Sequence, residues 1–129
     1  MRHLPLAVLA VMAAASWLVC TGCQGGDNDP SARPRTGGDP VRGEMVILTH
    51  GCGACHTIPG IRGARGLVAQ PLTFWSKRTF IAGELPNTPD NLVRWVMDPR
   101  AIRPKTAMPN LGLDMQEARD VAAYLYTLD

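Results

Sequence analysis

The chain has 129 residues, 46% of them hydrophobic, with 13 Lys and Arg against 11 Asp and Glu and a formal net charge of +2. Its basic residues are scattered rather than gathered into a stripe with aromatic side chains, which argues against nucleic-acid binding. Of the four cysteines, two lie in or beside an apolar N-terminal run, so a Cys20–Cys23 disulfide would require that run to stay attached.

In chain order the first element is a leader. Arg2 and His3 precede an almost wholly apolar stretch over residues 4–19, the charge order and length of a secretory signal. The segment Leu18-Val19-Cys20-Thr21-Gly22-Cys23, followed by polar Gln24, Gly25 and Gly26, resembles a bacterial lipoprotein signal in which Cys23 becomes the lipid-modified first residue. Cys20 stands where such signals usually carry leucine, so simple cleavage and an uncleaved membrane anchor both stay open. The run is slightly short of the roughly 20 residues that span a bilayer comfortably. The expected organisation is a signal peptide of lipoprotein type over 1–22, a flexible tether over 23–40, and one domain over 41–129. The expected location is outside the cytoplasm, in the periplasm or on the outer face of the cytoplasmic membrane. From Gly25 to Pro40 only Ala32 offers an apolar side chain, and such a composition cannot bury a core.

Beyond the tether the pattern is helical. Residues 41–50 carry Met45, Ile47 and Leu48 and lead directly into Gly51-Cys52-Gly53-Ala54-Cys55-His56. Thr88-Pro89-Asp90 is a helix start, a capping hydroxyl followed by proline and an acid in the first turn. That helix shows Leu92, Trp95 and Val96 on one face and must end near Asp98, before Pro99. Asp114-Met115-Gln116-Glu117 reads as a capping box for a last helix whose apolar stripe is Val121, Tyr124, Leu125 and Leu128. Residues 60–71, with three glycines and Arg62 and Arg65, read as a loop. No alternating strand pattern of useful length occurs.

The chemistry is concentrated at Cys52-Gly53-Ala54-Cys55-His56. Two thiols and an imidazole in C-x-x-C-H order are the attachment signature of a c-type haem. Both thiols can form thioethers to the vinyl groups of one porphyrin, and His56 follows under the iron. A redox dithiol would not require the histidine, and four-coordinate zinc would need further ligands that the sequence does not offer at suitable spacing. The sixth iron position has a candidate in Met108, held between Pro104 and Pro109 in a stiffened, non-helical segment. Met45, Met97 and Met115 lie in helical patterns, where methionine usually packs. A His56/Met108 pair raises the reduction potential and fills both axial sites, which suits electron transfer; a haem enzyme or gas sensor needs an open site, and a structural haem subunit of a respiratory complex is a further alternative.

These motifs, with the final helix over 117–125, make residues 41–129 resemble a class I cytochrome c domain. The resemblance implies an all-α fold packed around one covalent haem c and an electron carrier rather than an enzyme. It also implies that the first and last helices cross at Gly43 and Tyr124. The stretch from Ala82 through Trp95 is similar to the cytochrome c domain fused to subunit II of some bacterial haem-copper oxidases. By the same resemblance the Pro71 carbonyl accepts from the free ring nitrogen of His56, and Trp95 lies against the haem near the methionine. Thr106, Trp75 and Arg78 are candidates to bond the haem propionates, with a solvated Lys77-Arg78 pair as the plainer reading. Arg62, Arg65, Arg100, Arg103 and Lys105 either form a positive docking rim or serve solubility. The partners implied are membrane-bound electron donor and acceptor complexes, and the bilayer itself through Cys23 or the uncleaved leader.

Overall fold

A computed structural model describes residues 35–129. The expectations for the leader, Cys20 and Cys23 lie outside the described residues. The first helix, α1 (Pro40–Thr49), begins where the Asp39 carboxylate accepts from the N–H groups of Val41 and Arg42, with Pro40 in the first turn. It stops at His50, after which Gly51 takes a left-handed conformation (φ 69°) that glycine adopts without a Cβ penalty. Thr88 accepts from the Asn91 N–H to start α2 (Pro89–Met97). Asp98 ends that helix and caps the short α3 (Pro99–Ile102) through a bond from the Ala101 N–H. The capping box at Asp114 and Glu117 is formed in both directions and opens α4 (Met115–Leu125). Among the described residues the strand content is a two-residue antiparallel ribbon, β1 (Phe80–Ile81) with β2 (Leu85–Pro86), and an isolated bridge between Thr57 and Arg65. The domain is therefore small and mostly helical. Among the described residues no helix is long and apolar enough to cross a membrane.

The core gathers one face of each main helix: Ile47 from α1, Leu92, Trp95 and Val96 from α2, and Ala118, Val121, Ala122 and Leu125 from α4. Helices α1 and α4 meet at Gly43, where a Cβ would lie 2.0 Å from the Asp120 carbonyl oxygen and 3.0 Å from the Tyr124 Cβ. Glycine is what lets two backbones approach this closely.

The folded unit starts earlier than composition suggested. Gly38 sits so close to α4 that a Cβ would lie 2.1 Å from the Arg119 carbonyl oxygen. Asp39 N–H donates to Asp120 Oδ1 at 2.7 Å. These residues were expected to belong to the tether, because a scan for apolar side chains overlooks segments that dock through their backbone.

Asp120, only 3% exposed, is the hub of this contact. Its carboxylate also accepts from Arg42 Nε at 2.8 Å, Arg42 Nη2 at 3.0 Å and Gln116 Nε2 at 3.0 Å. Hydrogen bonding to Arg42, helped by the Asp39 N–H and Gln116, outweighs burial and holds its pKa below the ordinary carboxylate range. A carboxyl whose folded pKa is depressed stabilises the fold above its unfolded pKa and loses that contribution as pH falls through the folded value. Asp120→Asn should therefore cost about 1–2 kcal/mol at pH 7 and close to nothing at acid pH. Urea unfolding of both proteins at neutral and acid pH checks this, and an equal gap at both would show that the charge is not responsible.

Candidate functional site

The C-x-x-C-H segment folds as a 3-10 turn over Cys52–Ala54, continued by bonds from the Cys55 N–H (3.3 Å) and the His56 N–H (3.1 Å) to the Cys52 carbonyl. That winding brings both thiols and the imidazole onto one tight turn. The following loop closes over it. A Cβ on Gly53 would lie 2.7 Å from the Ala64 Cα, Gly66 N–H donates to Gly53 O at 3.0 Å and Ile58 N–H to Ala64 O at 3.1 Å, and Thr57 Oγ1 donates to Gly66 O at 3.1 Å.

Both thiols are half-buried. Burial pushes the Cys52 thiol up from its ordinary value, the opposite of the lowered pKa that makes a redox dithiol reactive. Among the described residues, no three or more His, Cys, Asp and Glu side chains come together as a metal-binding group, so the zinc reading finds no companion ligands there.

His56 presents a defined tautomer. Its Nδ1 lies 2.7 Å from the Gln70 carbonyl oxygen, which requires the proton on Nδ1 and leaves the Nε2 lone pair for a metal. The expected acceptor was Pro71, and the structure corrects it by one residue. Ala69 N–H is tied to Cys55 O at 2.9 Å and Leu72 N–H to Thr57 O at 2.8 Å. The carbonyl that meets the ring between those ties is that of Gln70. The Pro71 carbonyl instead accepts from Arg78 Nη2.

Met108 is half-buried and packs against the hydrophobic core, as does Cys52. Trp95 is buried in that same core on α2, so it contributes packing there beside whatever else it contacts. Thr106 braces the methionine: its Oγ1 accepts from the Met108 N–H at 3.3 Å, while its own N–H donates to Arg103 O at 2.9 Å. Of the basic side chains near this segment, Arg103 is paired with Glu84 at 3.4 Å, which weakens its part in a positive rim.

Trp75 is buried, and its indole Nε1 is the one buried side-chain polar atom among the described residues without a hydrogen-bond partner. Leaving such a donor unpaired costs on the order of 1–3 kcal/mol. A carboxylate such as a haem propionate suits it, so the residues present fit the group that the motif implies. Sequence reading missed the support behind this tryptophan. Asn87 Nδ2 donates to the carbonyls of Trp75 (3.1 Å) and Arg78 (3.0 Å), and Asn87 Oδ1 accepts from the Tyr126 hydroxyl at 2.9 Å. Burial pushes the Tyr126 hydroxyl up to about 12, so it remains a donor throughout the physiological range.

The chain is 30% identical over 89 residues to cytochrome c oxidase subunit 2 of Alkalihalophilus pseudofirmus, a stretch that covers 67% of this chain and 25% of that protein. It thus spans about a quarter of the length of the curated relative it matches. The family model for cytochrome c matches residues 40–129. Cytochrome c domains carry electrons rather than catalyse reactions, and their fold implies haem c. Because the match runs from the first residue of α1 to the end of the chain and takes in every helix of the fold, the chain belongs to the cytochrome c family.

Proposed function

We propose that this protein is a membrane-tethered, mono-haem c-type cytochrome that passes single electrons between respiratory complexes, with a haem-copper oxidase as acceptor. The observation that carries the reading is the His56 ring, held by the Gln70 carbonyl at 2.7 Å on the same turn as two half-buried thiols. Haem c, when bound, supplies one-electron cycling between ferric and ferrous iron. Cys52 and Cys55 would hold it covalently, His56 and Met108 would ligate the iron, and the Trp75 N–H would donate to a propionate. Thr106 and the flanking prolines keep Met108 in place, which suits a weak thioether ligand. The buried side chains of Ile47, Leu92, Trp95 and Val121 would help to keep water from the haem, which favours a raised potential.

The oxidase acceptor is supported by the likeness to a cytochrome c oxidase subunit 2 and by the segment from Ala82 to Trp95. The leader supports export to the periplasm or to the outer face of the cytoplasmic membrane, and residues 1–23 support anchoring through a lipidated Cys23 or the uncleaved leader. With Gly38 and Asp39 seated against α4, the proposed tether shortens to about a dozen residues, with a root-mean-square reach of roughly 20 Å. Such a tether raises the local concentration of membrane-bound partners.

The test is the protein extracted from membranes of cells that mature c-type haem. It should show c-type absorption bands when reduced, one haem retained after denaturation, and slow or absent CO binding. Fast CO binding by the native reduced protein would move the reading to an enzyme or gas sensor. Haem that is released by acid acetone would remove the thioether assignment.

A further inference from the structure

The carbonyl that meets the His56 ring belongs to an irregular stretch, so its aim depends on what holds its neighbours. The ties from Ala69 N–H to Cys55 O (2.9 Å) and from Leu72 N–H to Thr57 O (2.8 Å) fasten the stretch to the C-x-x-C-H turn. Pro71 has no N–H, so its carbonyl is the one handle by which that residue can be fixed through the backbone. Arg78 takes it. One guanidinium nitrogen, Nη2, donates both to Pro71 O and, at 3.2 Å, to Thr73 O, while the guanidinium carbon lies over the Trp75 ring, 5.2 Å from its centroid.

Arg78 is itself well held. Its N–H donates to Trp75 O at 3.1 Å, and its carbonyl accepts from Asn87 Nδ2 at 3.0 Å, with Asn87 bonded in turn to the Tyr126 hydroxyl at 2.9 Å. A line of support therefore runs from the buried end of the last helical segment through Asn87 and Arg78 to Pro71. The Gln70 carbonyl shares a peptide plane with the Pro71 nitrogen, and proline's ring fixes φ. Clamping the Pro71 carbonyl thus restricts the orientation of the Gln70 carbonyl next to it.

We propose that Arg78 is a positioning residue for the proximal histidine: by holding the Pro71 and Thr73 carbonyls it withdraws Pro71 from the ring and presents Gln70 O to His56 Nδ1. The inference rests on His56 being the iron ligand, as argued under the proposed function. Its consequence is electronic, because the bond to the free ring nitrogen sets the basicity and orientation of a ligating imidazole and hence the iron's potential.

The test uses the haem-loaded protein, Arg78→Leu and Arg78→Lys. In the ferrous state the exchange of the His56 Nδ1 proton with solvent is followed by NMR, together with the reduction potential. Losing one well-placed hydrogen-bonded support should speed exchange about five- to tenfold in Arg78→Leu and shift the potential. Arg78→Lys should lie between, since an ammonium can reach one carbonyl but lacks the planar fork; it also carries the test if the leucine variant does not fold. Exchange unchanged in both variants overturns the proposal, and a potential shift without an exchange change assigns Arg78 to a propionate instead. If the wild-type ferrous spectrum contains no ligated histidine, the ligation reading itself has failed, and the positioning role falls with it.

Discussion

Replacing Met108 by alanine should remove the methionine-to-iron charge-transfer band from the oxidised protein and lower the reduction potential by on the order of a few tenths of a volt. The magnitude is a fraction of the roughly 0.8 V over which axial ligands move haem potentials. A thioether is a soft ligand that favours ferrous iron, so its loss favours ferric iron. The same substitution should let the reduced protein bind CO quickly, because the sixth position opens. Met108 is singled out by its setting. It is half-buried against the core in a segment stiffened by Pro104 and Pro109 and braced by the Thr106 hydroxyl at 3.3 Å. Met45 and Met115 are exposed on their helices, at 61% and 50%, and Met97 packs on α2. If Met108→Ala keeps both its band and its potential, the ligand is another residue, and Met97 becomes the next to replace. Far-UV circular dichroism should stay nearly unchanged, since Met108 lies outside every helix.

The features that were legible in the sequence are those written in local chemistry. Thr88-Pro89-Asp90 and Asp114-Met115-Gln116-Glu117 carry their hydrogen-bond donors and acceptors within one turn, so the starts of α2 and α4 could be read directly. Gly43 and Tyr124 could be paired only through a family resemblance, because nothing local announces a helix crossing. The acceptor for His56 was placed one residue late. Which backbone carbonyl faces a ring depends on where its neighbours are tied, and those ties reach Cys55 and Thr57 and the Arg78 guanidinium. Asp120 was not singled out in the sequence. Its position carried a signal all the same: it lies one turn before Tyr124, on the side of α4 that meets Gly43, and Arg42 stands beside that glycine. The docking of residues ahead of α1 was hidden for a related reason. Gly38 and Asp39 dock through backbone atoms, and a search for apolar side chains weighs them as nothing.

The helix crossing should be the most sensitive point in the fold. In Gly43→Ala the new methyl would begin 2.0 Å from the Asp120 carbonyl oxygen and 2.7 Å from the carbonyl carbon. Both obstacles are backbone, so neither can rotate away as the end of a flexible side chain would. Overpacking of a tight contact costs about 1–3 kcal/mol and occasionally more; alanine's better helix propensity returns only about 1 kcal/mol. Two backbone obstacles put the cost at the top of that range, so a net loss of about 2 kcal/mol is expected, read from urea unfolding at neutral pH. The damage should not stay at the crossing. Tyr124 donates its hydroxyl to the Pro59 carbonyl at 2.7 Å, and that hydroxyl sits 2.5 Å from where a Cβ on Gly60 would be. The loop that closes over the C-x-x-C-H turn therefore leans on the same α4 residue that Gly43 contacts. Separating α1 from α4 should raise amide hydrogen exchange at Ile61 and Ala64 as well as within both helices. A destabilised variant with unchanged exchange in that loop would show that the crossing and the candidate haem site are mechanically independent.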